Sequence, residues 1–162
     1  MKNLWNLAQV RFALAIVLGL STFGMASFNA TVAEANVGRL RAIEKVVGLH
    51  ERKNNKTIRR LVGVNPARVP WCGAAVAYAV RKAGGQPIKG HLGAKNWSRF
   101  GKGVKLSSAR KGDVVVIRTK RGHHVGIYKA RSKGRVTLCG GNQSNRFKCS
   151  NYRSSSVRAV RR

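Results

Sequence analysis

The first half of the chain carries helical patterns of apolar residues. Apolar side chains recur at intervals of three and four at Val37, Leu40, Ile43 and Val47. This spacing predicts an amphipathic helix that ends near Gly48. A short second helix is expected to begin at Thr57, which can cap it. The run that starts at Cys72 is small and apolar on all sides, which predicts a buried helix ending at the paired glycines 84 and 85.

The second half changes to the period of β-strands. Three short apolar runs separated by turns predict an antiparallel meander over residues 113–118, 124–129 and 135–139. The tail, residues 152–160, is expected to add an edge strand. Between the helices and the strands, residues 86–110 predict a crossover of loops and short helices with Trp97 and Phe100 as packing anchors. Helices followed by a small antiparallel sheet define the α+β class, in a single domain over residues 37–162.

The start of the chain has the pattern of a targeting segment. Lys2 and Arg11 precede the apolar stretch 12–20, and small residues follow at Gly24 and Ala26. This pattern predicts a signal peptide or N-terminal anchor over residues 1–30. Polar residues dilute the stretch that follows, so we expect no stable membrane span once the signal is cleaved. The predicted location is the periplasm, the cell wall or the exterior.

Charge limits both the chemistry and the partners. The chain has 33 Lys and Arg against four Asp and Glu, a formal net charge of +29, and its basic residues run from Arg39 to Arg162. So basic a surface attracts polyanions, including non-specific nucleic acid and anionic envelope polymers. Four scattered acids disfavour a paired-carboxylate mechanism and a carboxylate-rich metal site. We therefore expect no metal site.

Three cysteines suggest one bridge and one free thiol. In an oxidising compartment an odd count leaves one cysteine for another purpose. Cys139 and Cys149 lie ten positions apart and are expected to close a small loop, although spacing alone does not fix the pairing. Cys72 would then be the free thiol. The spacings do not match a structural zinc site.

Cys72 is the candidate nucleophile. It opens the predicted buried helix, where the helix dipole favours the thiolate and is expected to lower the thiol pKa. The free backbone N–H groups of the first turn are suited to holding an oxyanion. The competing interpretation is a small buried hydrophobic residue, which most lone cysteines are.

His124 is the candidate base. It is the first residue of a predicted strand, and its side chain is expected on the face opposite Val125 and Ile127. Its neighbour His123 is interpreted as a turn residue. A third group is needed to orient the imidazole, and Asn142 is the candidate, with Gln143 as the less favoured substitute. Asp113, the carboxylate nearest to these segments in the sequence, is interpreted as a structural turn residue.

Four segments together resemble the signature blocks of CHAP/NlpC-type cell-wall cysteine hydrolases. They are Pro70-Trp71-Cys72-Gly73-Ala74-Ala75, Lys111-Gly112-Asp113-Val114-Val115-Val116, Gly122-His123-His124-Val125-Gly126 and Gly140-Gly141-Asn142-Gln143. The resemblance extends over about residues 38 to 160, with Trp97 also at a family-like position. It implies a papain-like fold and hydrolysis of amide bonds in peptidoglycan stem peptides or cross-bridges. Its catalytic set would be Cys72, His124 and a polar third residue, although many relatives have an acid or a histidine at that third position.

The resemblance leaves two other functions open. One is a polyanion-binding protein with a vestigial cysteine site, which the charge alone would support. The other is an acyltransferase or transglutaminase-like enzyme that passes the acyl group to an amine instead of water. For the hydrolase, no metal or organic cofactor is required. Trp71, Trp97 and Gln143 are the candidate substrate-binding residues, and simple packing is the alternative role of the two indoles.

Overall fold

The computed structural model describes the backbone of residues 23–162 and the side chains of residues 34–162. Residues Glu34–Arg162 form one compact unit. The described helices are α1 (Phe23–Glu44), α2 (Asn55–Val62) and α3 (Cys72–Lys82). The strands are β1 (Val114–Thr119), β2 (Gly122–Ser132), β3 (Arg135–Gly140), β4 (Lys148–Arg153) and β5 (Val157–Arg161). Helices precede the sheet, and the predicted α+β class is confirmed.

The helix ends follow local chain chemistry. α3 begins directly after Pro70-Trp71, and its residues from Cys72 to Val80 are all buried. α2 ends at Gly63, which adopts the left-handed conformation at φ 78°. The predicted start of α2 at Thr57 is wrong, because the helix begins two residues earlier. Asn54, which precedes it, uses its side-chain oxygen to accept the backbone N–H of His50 at 2.9 Å instead of capping α2.

The sheet has the strand order β4-β3-β2-β1-β5 with antiparallel neighbours. The predicted meander of three strands forms its centre. The prediction of one edge strand over 152–160 is wrong, because a 3₁₀ turn at Ser154–Ser156 divides this region. Residues before the turn pair with β3, and residues after it pair with β1. The tail therefore supplies both edge strands of the sheet, β4 and β5.

Both faces of the sheet are covered, so the central strands are apolar on both sides. Along β1, Val114 and Val116 pack with the helices, while Val115 and Ile117 pack into a second cluster on the opposite face. The crossover between α3 and β1 contributes the fully buried Trp97 to the helix side, with Phe100 at 5.4 Å between ring centroids. The continuous apolar run of β1 follows from this double burial.

Asp113 has the structural role that its position predicts. Its carboxylate is fully buried, accepts the backbone N–H of Arg110 at 2.8 Å and pairs with Arg162 at 2.8 Å. Its negative charge also acts on Arg39, because burial lowers the pKa of this guanidinium and the charge of Asp113 opposes that lowering. This carboxylate therefore fixes Arg162 against the turn that leads into β1.

The predicted bridge between Cys139 and Cys149 is present, with an S–S distance of 2.01 Å. The two cysteines are directly paired across β3 and β4. The bridge therefore holds an edge strand to its neighbour, and Cys72 is the free thiol.

The predicted leader, residues 1–30, falls largely outside the described residues and stays a prediction. Within the described part of the chain, no helix has both the length and the apolar character needed to cross a membrane.

Gly141 should be the glycine least tolerant of a side chain near the sheet end. A Cβ there would overlap the Trp71 ring and lie 2.7 Å from the Cβ of Ala75. We expect Gly141→Ala to lower the free energy of unfolding by about 2–3 kcal/mol through overpacking. The adjacent Gly140→Ala is the matched control, because its Cβ would meet only ordinary contacts at 3.5 Å or more. Equal denaturant midpoints for the two variants would contradict this account.

Candidate active site

The first turn of α3 is held against the end of the sheet by Trp71. The indole is fully buried, its N–H donates to the Glu51 carboxylate at 3.1 Å, and its ring meets Phe147 edge-on at 4.8 Å. Its other side lies on the backbone of Gly141. Trp71 immediately precedes Cys72, so these contacts fix where the sulfur lies.

The sulfur of Cys72 lies against the peptide group that joins His124 to Val125. The backbone N–H groups of Val125, of Gly73 and of Cys72 itself all act to lower the pKa of the thiol, which places them beside the sulfur. β3 ends at Gly140, which lies opposite Gly126 when the pairing of Ile127 with Cys139 is continued by one residue. The sulfur therefore contacts β2 next to the point where β3 stops pairing with it.

Burial, rather than the helix dipole, decides the protonation of Cys72. Burial raises the pKa of the thiol, and the backbone N–H donors of Val125, Gly73 and Cys72 oppose that effect without cancelling it. The expected lowering of this pKa is therefore wrong. With only 6% of the residue exposed, desolvation of the thiolate outweighs the stabilisation from the helix N-terminus. The thiol is protonated at neutral pH.

His124 lies on the sheet face that the alternation of β2 predicts. Val125 and Ile127 belong to the core beneath the helices, whereas Tyr128, which shares the parity of His124, belongs to the second cluster. The imidazole is 9% exposed, and its Nε2 is buried without a hydrogen-bond partner. Burial lowers the pKa of His124 from its usual value of 6.5 to about 4. At neutral pH the ring is therefore neutral and can accept a proton.

The structure does not connect Asn142 to this nitrogen. Nε2 of His124 has no partner in the described part of the chain, and Asn142 is half-buried with φ 56°. The register of β2 and β3 pairs Ile127 with Cys139. Continued by two residues past the end of β3, the same register would set His124 opposite Asn142. The predicted hydrogen bond between the two residues is absent from the described structure, and the orienting role of Asn142 stays a prediction.

Gln143 contacts protein groups on both sides of its amide. Its Nε2 donates to the carbonyl oxygens of Lys148 at 2.9 Å and Leu138 at 3.3 Å, and its Oε1 accepts the Tyr152 hydroxyl at 2.9 Å. The residue is 4% exposed. Gln143 therefore has a structural place in the loop between β3 and β4 and shows no free amide for a substrate.

Tyr152 is a site residue that the sequence analysis did not single out. Its ring lies against the imidazole of His124, with centroids 5.7 Å apart and planes inclined by 33°. Burial raises the pKa of its phenol, and the nearby Cys72 thiolate would raise it further. The sequence offered one indirect signal, an aromatic residue in a predicted edge strand, but strand order was needed to bring it to His124.

The predicted substrate-binding indoles are not accessible. Trp71 and Trp97 are both fully buried, and the Trp97 N–H donates to the carbonyl of His91 at 2.8 Å. Two exposed apolar side chains lie in segments close to the site. Val69, 41% exposed, comes three residues before Cys72, and Leu92, 45% exposed, lies where the crossover passes over Gly73.

The arrangement offers one candidate nucleophile and one candidate proton acceptor. The first-turn N–H groups of α3 lie around a protonated thiol, and the adjacent backbone of β2 carries the neutral imidazole of His124 on the sheet face opposite Val125. Among the described residues, no group of three or more metal-ligating side chains is present.

Comparison with known proteins identifies the fold. No protein-family model matches the sequence. No curated protein is similar to it in sequence. A solved structure of the Resuscitation Promoting Factor Interacting protein RipA aligns with 79% of this chain at 17% identity and a TM-score of 0.51. The P60 domain of an antigen from M. avium paratuberculosis aligns with 84% of this chain and 98% of its own, at 14% identity and a TM-score of 0.52.

The chain therefore shares the α+β fold of these two solved structures, in agreement with the papain-like fold that the sequence resemblance implies. It spans 62% of the RipA chain that it matches. At these identities the likeness extends to the fold, and the chemistry has to be argued from the site itself.

The buried neutral histidine should make the protein acid-sensitive. Its pKa is near 4 when folded and near 6.5 when unfolded, so the unfolded chain binds more protons between these values. Stability should fall by up to about 3 kcal/mol as the pH drops from 6.5 to 4. Urea unfolding across this range measures the loss.

Replacement of His124 by Gln should flatten that dependence on pH. His123→Gln, one residue earlier and only half-buried, should retain it and serves as the control. If His124→Gln still lost the full free energy of unfolding as the pH drops from 6.5 to 4, another group would be responsible for the acid sensitivity.

Proposed function

We propose that this chain is an exported cysteine hydrolase that cleaves amide bonds in peptidoglycan stem peptides or cross-bridges. The observation that carries the proposal is the placement of the unbridged Cys72, whose sulfur lies against the peptide group following His124. The substrate class rests on the resemblance of the four sequence blocks to cell-wall cysteine hydrolases. The papain-like fold supports the same class.

The first chemical step transfers the thiol proton to His124. The imidazole takes the proton from Cys72 as the sulfur attacks the amide carbonyl carbon, which forms a C–S bond. The N–H groups of Cys72 and Gly73 would stabilise the oxyanion, because they already lie around the sulfur at the start of α3. Because both groups are neutral at rest, charge separation occurs only as the substrate reacts.

Collapse of the intermediate breaks the C–N bond, and His124 gives its proton to the leaving amine. The product is a thioester on Cys72. Water then attacks the thioester, with His124 accepting its proton and returning one to the sulfur. An acyltransferase would use an amine in place of this water, so the fate of the thioester separates the two reactions.

Asn142 is our candidate for orienting the imidazole. The continued register of β2 and β3 would set it opposite His124, and the unpartnered Nε2 leaves a position for an amide oxygen. The substrate contacts we propose are the exposed Val69 and Leu92, in place of the buried indoles.

Export is supported by the disulfide. Cys139 and Cys149 are bonded, and such bonds persist in oxidising compartments. The predicted leader at residues 1–30 would deliver the chain there. Delivery would place the domain beside its proposed polymeric substrate.

Binding of an anionic polymer is a second candidate function, favoured by a basic groove between the helices. One cavity of about 350 Å³ is lined by Arg60, Leu61, Tyr78, Arg81 and Lys82. An adjoining cavity of about 380 Å³ is lined by Gly38, Arg41, Ala42, Lys45, Tyr78 and Lys82. One acid, Glu34, lies near the second cavity, where it pairs with the lining residue Arg41 at 2.9 Å. Lys82 lies ten residues along α3 from Cys72, about 15 Å at helical rise.

The protein should release new amine termini from purified peptidoglycan. Cys72→Ala should lower this release by about 10³-fold or more, because no other group replaces the nucleophile. His124→Ala should lower it by about 10²–10⁴-fold. Amine labelling followed by mass spectrometry of the fragments measures the release and identifies the bond.

His123→Gln is the control and should retain the wild-type rate. No amine release by the wild-type protein from any peptidoglycan preparation would refute the hydrolase. Release that appears only when an acceptor amine is supplied would favour the acyltransferase.

The basic groove should dominate the salt dependence of polyanion binding if it is a binding site. Each phosphate contact contributes about 0.7–0.9 to the slope of log K against log salt. The variant Arg60→Gln/Arg81→Gln/Lys82→Gln should therefore reduce that slope by about 2–3, measured with an oligonucleotide and with a purified teichoic acid.

The matched control removes three exposed charges from the β2–β3 hairpin, as Arg131→Gln/Lys133→Gln/Arg135→Gln. Its slope should change by less than about 1 if the groove is the site. Equal slopes for the two triple variants would mean that binding is spread over the whole basic surface.

A further inference from the structure

We infer that Tyr152 and Gln143 together position the imidazole of His124. The Tyr152 ring packs against the imidazole, and Gln143 anchors Tyr152 through a hydrogen bond to its hydroxyl. This inference rests on the proposed role of His124. It concerns how the imidazole is held, and neither residue is assigned contact with the reacting atoms.

A general base on a β-strand has to be held in one orientation. Nε2 of His124 is buried and has no hydrogen-bond partner, so no bond to this nitrogen fixes the ring. The imidazole ring does contact the ring of Tyr152, with 5.7 Å between the two centroids. Aromatic packing at this separation and tilt restricts rotation of the imidazole about its side-chain bonds.

Tyr152 is itself held at its far end. Its hydroxyl donates to Oε1 of Gln143 at 2.9 Å, and the amide of Gln143 donates to the carbonyls of Lys148 and Leu138. One amide thus links the Tyr152 hydroxyl to β3 and β4. Tyr152 cannot rotate away from His124 without breaking this partly buried hydrogen bond.

The backbone around Tyr152 is equally constrained. Tyr152 is paired with Val136 in the ladder of β3 and β4, and Cys149, three residues earlier, is bonded to Cys139. An edge strand without these links would be free to fray. The disulfide and the Gln143 amide therefore both serve to keep the Tyr152 ring in place.

Kinetics can separate positioning from simple stability. We expect Tyr152→Ala to lower kcat by about 10²-fold per titrated Cys72 thiol with little change in KM, since misplacement of a base affects the chemical step. Tyr152→Phe keeps the ring and loses the anchor, so its kcat should fall by about three- to tenfold. Tyr128→Phe, on the same sheet face, is the matched control and should retain kcat.

A double-variant cycle tests the role of Gln143. Gln143→Ala and Tyr152→Phe both remove the same hydrogen bond. The double variant should therefore lose no more kcat than Gln143→Ala alone. Multiplicative losses would overturn the anchoring role of Gln143.

An NMR measurement tests the inference without any substrate. In the Cys72→Ala background, the ring signals of His124 should report one orientation, and Tyr152→Ala should shift or broaden them while Tyr128→Phe does not. Unchanged His124 signals in Tyr152→Ala, or a rise in KM with kcat intact, would overturn the positioning role. Absence of turnover in the wild-type protein would instead refute the proposed function and leave this test in force.

Discussion

The site depends on one close contact, that of the Trp71 indole with the backbone of Gly141. The contact joins the residue before α3 to the residue after β3. It is possible only because Gly141 has no side chain, and the hydrogen bond to Glu51 fixes the orientation of the indole. Since Cys72 follows Trp71 directly, the same contact sets the sulfur against β2. Trp71 thus acts on the site through packing.

Burial sets the resting state of the candidate pair. Around Cys72, the helix N-terminus favours the charged form and burial favours the neutral form, and burial prevails. The same effect keeps His124 neutral. A buried ion pair would need compensating hydrogen bonds that Nε2 of His124 does not have. A neutral thiol and a neutral imidazole fit this environment better.

The scarcity of acids shapes the whole molecule. Each of the four carboxylates has a polar partner: Glu34 with Arg41, Glu44 with Lys129, Asp113 with Arg162, and Glu51 with Trp71. The remaining basic residues have few acids to meet and face solvent over much of the described surface. That excess favours contact with anionic polymers wherever the chain resides, and it says little about which amide bond is cut.

The sequence alone determined the class of fold, the buried helix opened by Cys72, the three central strands and an odd number of cysteines that leaves one thiol unpaired, because periodicity, helix punctuation and residue counts can be read without the tertiary structure. Tertiary structure decided the rest. Burial reversed the expected pKa of Cys72, and close packing moved Trp71 and Trp97 into the core. Strand order brought Tyr152 to His124, and the 3₁₀ turn at residues 154–156 divided the tail into two strands on opposite sheet edges. Desolvation and long-range pairing depend on residues far apart in the chain, and no local pattern records them.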